Sequence, residues 1–217
     1  MIVQDFSNEN SVLNQFVLEM RDISIQKDSM RFRKNIELIG EILSYEMSKT
    51  LHYKTEMIKT PLGEKQMRVP KNDLVVCSIL RAALPFHNGV ISFFDKAENA
   101  YISAYRHHTD GSDAFEVIVN YLASPSIEGK TLILTDPMLA TGRTLENVLK
   151  AFKSHGTPNQ IHILSIIGAK PGIAYIQDKF PENTYLWIAA VDEKLNSRGY
   201  ILPGLGDAGD LAFGEKL

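Results

Sequence analysis

Leu132-Ile133-Leu134-Thr135-Asp136-Pro137-Met138-Leu139-Ala140-Thr141-Gly142-Arg143-Thr144 is the stretch on which the reading of this chain turns. An apolar run ends in an acid, and a short loop of small and hydroxyl-bearing residues follows. Thr144 then opens a helical pattern with apolar residues at Leu145, Val148, Leu149 and Phe152. Strand, loop and helix start in this order present backbone N–H groups at the positive end of a helix, a geometry suited to a phosphate group. Gly142 lets the backbone come close to a ligand, and the Thr141 and Thr144 hydroxyls can add donors. An ionised Asp136 has several acceptor sites for vicinal hydroxyls. An ordinary Asp–Pro strand end before a capped helix is the alternative, and spacing alone leaves it open.

Working outward, Leu74 to Leu80 is a continuous apolar run, which predicts a strand buried on both faces. Arg81-Ala82-Ala83 ends it, and Leu84 to Phe94 has helical spacing. Ala100 to Tyr105 reads as a strand ended by Arg106-His107-His108, then a mobile polar loop over 107–114. Phe115 to Leu122 is a further strand, and 124–130 a turn. Beyond the opening stretch, with its helix expected over about 144–155, Ile161 to Ile167 and Thr184 to Ala190 read as strands. Pro171 to Lys179 between them reads as a helix. Strands alternating with helices predict an α/β fold: a mainly parallel central sheet with helices on both faces. Ligands of such sheets bind at the carboxyl ends of the strands, which singles out Arg81, Arg106, Asp136 and the segment after Val191. Guanidinium forks at the first two positions suit phosphate and diphosphate.

Toward the N-terminus, residues 1–10 read as a polar arm. Helical spacing runs from Ser11 to Met20 and from about Ser29 to Thr50, with Arg31, Arg33 and Lys34 near the second start. That basic cluster reads either as a solvated face or as a subunit or effector contact. Residues 55–69 alternate around Pro61-Leu62-Gly63 and predict a projecting β-hairpin. Residues 191–217 are glycine-rich and read as mostly loop, a C-terminal hood. The chain is expected to form one domain over 1–217.

Composition sets outer limits. Apolar residues make up 44% and charged residues 23% of the 217, the profile of a globular protein. A net charge of −3 argues against general nucleic-acid binding, so an anionic substrate needs local groups to hold it. The single cysteine, Cys77, excludes an internal disulfide and reads as a small core residue. No apolar run approaches the ~18 residues of a membrane span, and no signal peptide is read, so a cytoplasmic location is expected. His107-His108 lacks spaced partners for a metal, and no protein metal ligands are predicted. Gly204-Leu205-Gly206-Asp207-Ala208-Gly209 matches G-x-G-x-x-G in the wrong context: Pro203 precedes it, and the chain ends before the acid expected about 20 residues on.

Asp136 to Thr144 resembles the phosphoribosyl-diphosphate motif of type I phosphoribosyltransferases, in the form found in the uracil phosphoribosyltransferase family. Gly199 to Asp210 resembles that family's uracil-binding segment almost residue for residue. Ser78-Ile79-Leu80-Arg81-Ala82 is similar to its pyrophosphate loop, and Tyr105-Arg106 to the start of its flexible loop. Weaker likeness reaches Met20-Arg21-Asp22, Arg31-Phe32-Arg33 and Tyr45-Glu46, so the resemblance covers about residues 12–217. Arg143, Ala83, Pro85 and the 107–124 loop depart from the family pattern, Arg143 by adding a cation near the phosphate cradle.

The resemblance implies transfer of a phosphoribosyl group from 5-phosphoribosyl 1-diphosphate to uracil with Mg²⁺, giving UMP and pyrophosphate. Asp136, Arg106 and Asp207 would be the catalytic residues. Arg81 and Arg106 would meet the diphosphate, and Asp136 the ribose hydroxyls. Pro137, Met138, Leu139, Ala140, Thr141, Gly142, Arg143 and Thr144 would complete the donor site, with Asp207. Ile201, Gly206, Asp207 and Ala208 would face uracil. A homodimer and, in some members, GTP activation are implied as well. Two other readings compete: a phosphoribosyltransferase for another base, against which the 199–210 tail argues, and an RNA-binding regulator, against which the acidic balance argues.

Overall fold

The computed structural model describes residues 1–71, 73–108 and 115–216, with the backbone alone for 104–108 and 115–119. The apolar runs are the strands of one sheet: β1 (Ile2–Asp5), β4 (Leu74–Leu80), β5 (Glu98–His108), β6 (Phe115–Ala123), β7 (Thr131–Thr135), β8 (Met138–Leu139), β9 (Gln160–Ala169) and β10 (Thr184–Asp192). From edge to edge it runs β1, β10, β9, β7, β4, β5, β6, with β8 also pairing β9. Among the described residues of this sheet, only the β5–β6 pair is antiparallel. β2 (Tyr53–Thr60) and β3 (Gly63–Pro70) form the separate hairpin, joined at Pro61-Leu62.

Successive side chains of each central strand point to opposite faces, and both faces are covered. Val76, Ile133, Leu164 and Trp187 pack on one face with Phe32, Ile36 and Leu43 of α2 (Ser29–Ser48) and Phe86 and Val90 of α3 (Leu84–Phe93). Met20 of α1 (Leu13–Arg21) joins this layer. Val75, Cys77, Leu132, Leu134 and Ile163 pack on the other with Leu145 and Val148 of α4 (Arg143–Ala151) and Ile173 and Ile176 of α5 (Lys170–Lys179). Each such aliphatic or aromatic side chain contributes about 1.5–3 kcal/mol through burial. α2 and α3 meet closely at two glycines. A Cβ on Gly89 would stand 2.1 Å from the Glu37 carbonyl oxygen, and one on Gly40 would stand 2.7 Å from the Phe86 ring.

The predicted sheet with helices on both faces is the observed one, with local corrections. The expected N-terminal arm is in part β1, which pairs in parallel with β10. Its alternation is short, and its partner lies more than 180 residues away, so local pattern carries no signal for it. β5 does not stop at Tyr105: Arg106, His107 and His108 continue it, paired with Val117, Glu116 and Phe115. Backbone pairing with β6 outweighs the polar side chains there. The rest of the expected mobile loop, 109–114, lies outside the described residues. The C-terminal segment is less irregular than its glycines suggest, since β11 (Lys194–Leu195) pairs with β12 (Ile201–Leu202) and α6 covers Ala208–Phe213.

Chain order places the ligand crevice. From β4 the chain moves one way, through α3 to β5. From β7 it moves the other way, through α4 to β9 and on through α5 to β10. β4 and β7 are neighbours, so the connections diverge at their carboxyl ends. Such a switch point opens a crevice, and Arg81 and Asp136 are the residues that follow these two strands.

Candidate active site

A cleft of about 870 Å³ opens at that switch point. Ile79, Leu80, Arg81 and Ala82 enter it from β4, and Asp136, Met138, Ala140 and Thr144 from the β7–α4 connection. The C-terminal segment closes it with Arg198, Gly199, Tyr200, Gly206, Asp207, Ala208, Gly209 and Lys216. The Leu80–Arg81 and Leu202–Pro203 peptide bonds are cis.

The β7–α4 connection is stitched down rather than free. Asp136 N–H donates to Leu164 O at 3.1 Å, and Pro137 O accepts from the N–H groups of Ile166 and Ile167 at 3.2 and 3.0 Å. Asp136 Oδ1 accepts from Met138 N–H at 3.2 Å, an Asx-type turn that carries the chain into β8. Gly142 follows as the N-cap of α4 with φ 77°, and no side chain caps this helix. Of its first-turn N–H groups, that of Arg143 reaches only the Thr141 hydroxyl oxygen, at a long 3.5 Å, and such a loosely capped helix start suits an anion. α5 supports the loop from behind: a Cβ on Gly172 would stand 1.9 Å from Ala140 O.

Beneath the cleft runs a polar chain, buried at Ser78, Thr135 and His87 and reaching the surface at Asn99. Ser78 Oγ is 2.7 Å from both Thr135 Oγ1 and His87 Nδ1, and His87 Nε2 is 2.7 Å from Asn99 Oδ1 and 3.0 Å from Tyr101 OH. Burial lowers the His87 pKa, and the Asn99 hydrogen bond opposes this in part. The chain ties β7, β4, α3 and β5 together just under Arg81 and Asp136, where an unpaired polar group would be costly.

The C-terminal wall hangs on residues from the N-terminal helices and the turn between them. Arg21 donates through both terminal nitrogens to the Asp192 carboxylate at 2.9 Å, and Nη1 also donates to Gly204 O at 3.1 Å. Gly204 N–H donates to the same carboxylate at 2.9 Å. Gln26 Nε2 donates to Leu205 O at 3.1 Å, and Arg33 Nη1 to Ala212 O at 2.7 Å. Asp207 caps α6, its Oδ1 accepting from Gly209 N–H at 2.8 Å and Asp210 N–H at 3.0 Å. Ala208 N–H points at Met138 Sδ, 3.4 Å away, so the hood touches the β7–α4 connection directly.

Residues 7–215 match the sequence profile of uracil phosphoribosyltransferase. A uracil phosphoribosyltransferase of Porphyromonas gingivalis is 50% identical over 209 residues, covering 96% of each chain. One from Pyrococcus furiosus is 40% identical over 216 residues, covering 98% of this chain and 90% of that one. The chain belongs to the uracil phosphoribosyltransferase family. The solved structure of the AQ2163 protein from Aquifex aeolicus superposes with a TM-score of 0.87 at 29% identity, covering 98% of both chains.

In this uracil phosphoribosyltransferase-family chain, the fold gathers some sequence-nominated residues and leaves others aside. Arg81, Asp136, Met138, Ala140, Thr144, Gly206, Asp207 and Ala208 line the cleft. Pro137, Leu139, Thr141, Gly142, Arg143 and Ile201 do not. The side chains of Leu139 and Ile201 are buried in the core, so only their backbone could serve a ligand. Arg143 is exposed at the first position of α4, and its charge acts in part on Tyr175 of α5. The Arg106 side chain lies outside the described residues.

The basic cluster of α2 is neither a bare solvated face nor uniform. Arg31 pairs with Glu19, whose carboxyl is held at about 2, first by the Arg31 hydrogen bond and then by those from Gln15 and Asn35. Lys34 pairs with Glu37, while Arg33 reaches the hood. Sequence reasoning missed Ser103, Arg198, Tyr200 and Lys216 as cleft residues. Only Tyr200 lies within the Gly199–Asp210 segment that resembles the family. The others carry no local signal, because tertiary folding alone brings them to the cleft.

Proposed function

We propose that this chain transfers the 5-phosphoribosyl group of 5-phosphoribosyl 1-diphosphate to uracil, releasing pyrophosphate and forming UMP. The observation that carries the reading is the convergence of Arg81, Asp136 and Gly206–Ala208, from three distant segments, on one cleft. Family membership supports it. Arg81 meets the diphosphate, joined by Arg106 from β5. Asp136 accepts hydrogen bonds from the ribose hydroxyls. The backbone of Ala140 to Thr144, at the loosely capped start of α4, holds the 5-phosphate. Gly206 and Ala208 present backbone groups to the base, and Ile201 contributes through its backbone.

Breaking the C1–O bond builds positive charge on the ribose and negative charge on the departing diphosphate. Preorganised cations at the leaving group therefore lower the barrier. Backbone donors and acceptors distinguish uracil from cytosine, because the group at C4 changes from acceptor to donor. Each mismatched buried hydrogen bond costs about 1–3 kcal/mol.

Among the described residues no three His, Cys, Asp or Glu side chains group to hold a metal. The cleft's carboxylates, Asp136 and Asp207, suit a hard cation carried by the donor's own oxygens and water. Mg²⁺ bound this way supplies countercharge to the diphosphate.

A homodimer is part of the reading. The hairpin exposes Met57, Ile58, Leu62 and Met67, apolar side chains that a second copy would cover. GTP activation and a cytoplasmic location are the remaining expectations. Among the described residues no helix is long and apolar enough to cross a membrane. The deciding experiment is UMP formation from labelled uracil and 5-phosphoribosyl 1-diphosphate with Mg²⁺, run with and without GTP, with cytosine and purine bases as competitors. UMP is expected, and background-level UMP would overturn the proposal.

A further inference from the structure

The C-terminal tail brings a cation to the cleft that neither sequence motif supplies. α6 ends at Phe213, and Gly214 follows with φ 88° and ψ 158°. Only glycine adopts that conformation at low cost. No heavy atom lies within 4 Å of the position its Cβ would take, so the backbone angle rather than packing calls for glycine. The tail beyond Gly214 returns to the cleft. Lys216 lines it beside Arg81, Asp207 and Gly209. Its Nζ stands 3.4 Å from Asp207 Oδ2 and 3.8 Å from Asp210 Oδ1. Arg81 Nη2 donates to the same Asp210 Oδ1 at 3.0 Å and to Gly214 O at 3.2 Å, fixing the tail at its turn.

We propose that Lys216 is a donor-binding residue. With Arg81 it forms a cation pair that Asp207 and Asp210 hold in this structure and that passes to the diphosphate when the phosphoribosyl donor binds. The inference rests on reading the cleft as a phosphoribosyl-diphosphate site. Both cations are at hand and easily released. The Lys216 side chain is 61% exposed and that of Arg81 41%, and ion pairs so exposed add little net stability. A diphosphate carries several charges and many acceptor oxygens, so it outcompetes a single carboxylate for both groups.

The charge balance of the cleft points the same way. Asp207 spends Oδ1 on capping α6 and turns Oδ2 toward Lys216. Without a cation beside it, that carboxylate would repel a polyanionic donor. A lysine suits the place: its charge is compact and its stem flexible, so it can move between Asp207 and a diphosphate without a fixed fork geometry.

The test compares wild type with Lys216→Ala, Lys216→Arg and Gly214→Ala. Binding of Mg²⁺-pyrophosphate is measured by calorimetry, and KM is measured separately for donor and uracil. Lys216→Ala is expected to weaken pyrophosphate binding and raise the donor KM roughly tenfold, the effect of one charge-assisted contact. The uracil KM and the melting temperature should hold. Lys216→Arg should restore donor KM to within about threefold of wild type, since the charge remains. Gly214→Ala keeps the lysine but misdirects the tail, and should also raise the donor KM. Unchanged pyrophosphate affinity in Lys216→Ala would sink the inference. So would a parallel rise in both KM values, which marks the tail as a brace for α6. A wild-type protein that binds pyrophosphate but forms no UMP loses the uracil assignment and leaves Lys216 in place. One that binds no pyrophosphate overturns both.

Discussion

Asp136 accepts a hydrogen bond from Met138 N–H, and its side chain lines the cleft. Asparagine at this position keeps an acceptor for the turn and loses the charge. Asp136→Asn should therefore melt like wild type while kcat/KM for UMP formation falls about 30- to 100-fold, the loss of roughly 2–3 kcal/mol of charge-assisted bonding. An unaltered kcat/KM would show that the ribose hydroxyls bind elsewhere. His162 makes a second residue-scale case. It stacks on Tyr185, and its Nδ1 accepts from Trp187 Nε1 at 3.0 Å while Nε2 has no partner. Burial, aided by the nearby His52 charge, pushes its pKa down to about 3. The folded state thus favours neutral His162. Its contribution is complete above the unfolded value of about 6.5 and is lost as pH falls toward 3. Urea titrations at pH 7 and pH 4.5 should show a stability loss of about 2–3 kcal/mol from this group. His162→Gln, which can still accept from Trp187, should reduce that loss. Cys77 is the opposite case: burial pushes its thiol up to about 12, which removes it from any nucleophilic role.

At the scale of elements, the proposed phosphate cradle is a property of two helices. α4 offers its N-terminus, and α5 backs the loop through a residue with no side chain. Gly172→Ala would drive a methyl group into Ala140 O, a backbone atom that cannot swing away. The expected cost is about 1–3 kcal/mol of overpacking, seen as a melting temperature lower by about 2–4 °C per kcal/mol. The donor KM should rise in the same variant because Ala140 lies in the cleft wall. Lower stability with an unchanged donor KM would separate α5 from the cradle.

At the scale of the whole molecule, the first forty residues and the last thirty depend on each other. Arg21 from α1 and Asp192 from the end of β10 clamp Gly204, and Arg33 from α2 holds the end of α6. Asp192 is buried while Arg21 is only partly so. Removing the guanidinium therefore leaves a buried carboxylate poorly compensated, at a cost of about 2–3 kcal/mol after allowance for solvent on the arginine side. Arg21→Leu should loosen the hood more than the donor loop. In steady-state kinetics the uracil KM should rise several-fold with the donor KM near wild type. Equal changes in the two would mean that the clamp is only structural.

The central strands, the α4 start and the acid at the end of β7 were legible because each is encoded in a short window. Burial on two faces demands continuous apolar runs at Leu74–Leu80 and Thr131–Thr135, and a helix start after an acid demands small and hydroxyl residues. The hood's glycines were legible as a motif, but their partner helices were not. Other features rest on contacts between residues far apart in sequence, and no local pattern records them. β1 finds β10 across the chain, Arg106 is drawn into β5 by β6, and Gly172 sits beneath Ala140. By itself the sequence determined the central strands, the helices between them and the α/β class of the fold, because hydrophobic period and turn chemistry act over a few residues. Only the tertiary structure decided that Arg198 and Lys216 join Arg81 at the cleft, because a side chain's aim depends on the helix, strand or tail that packs against it.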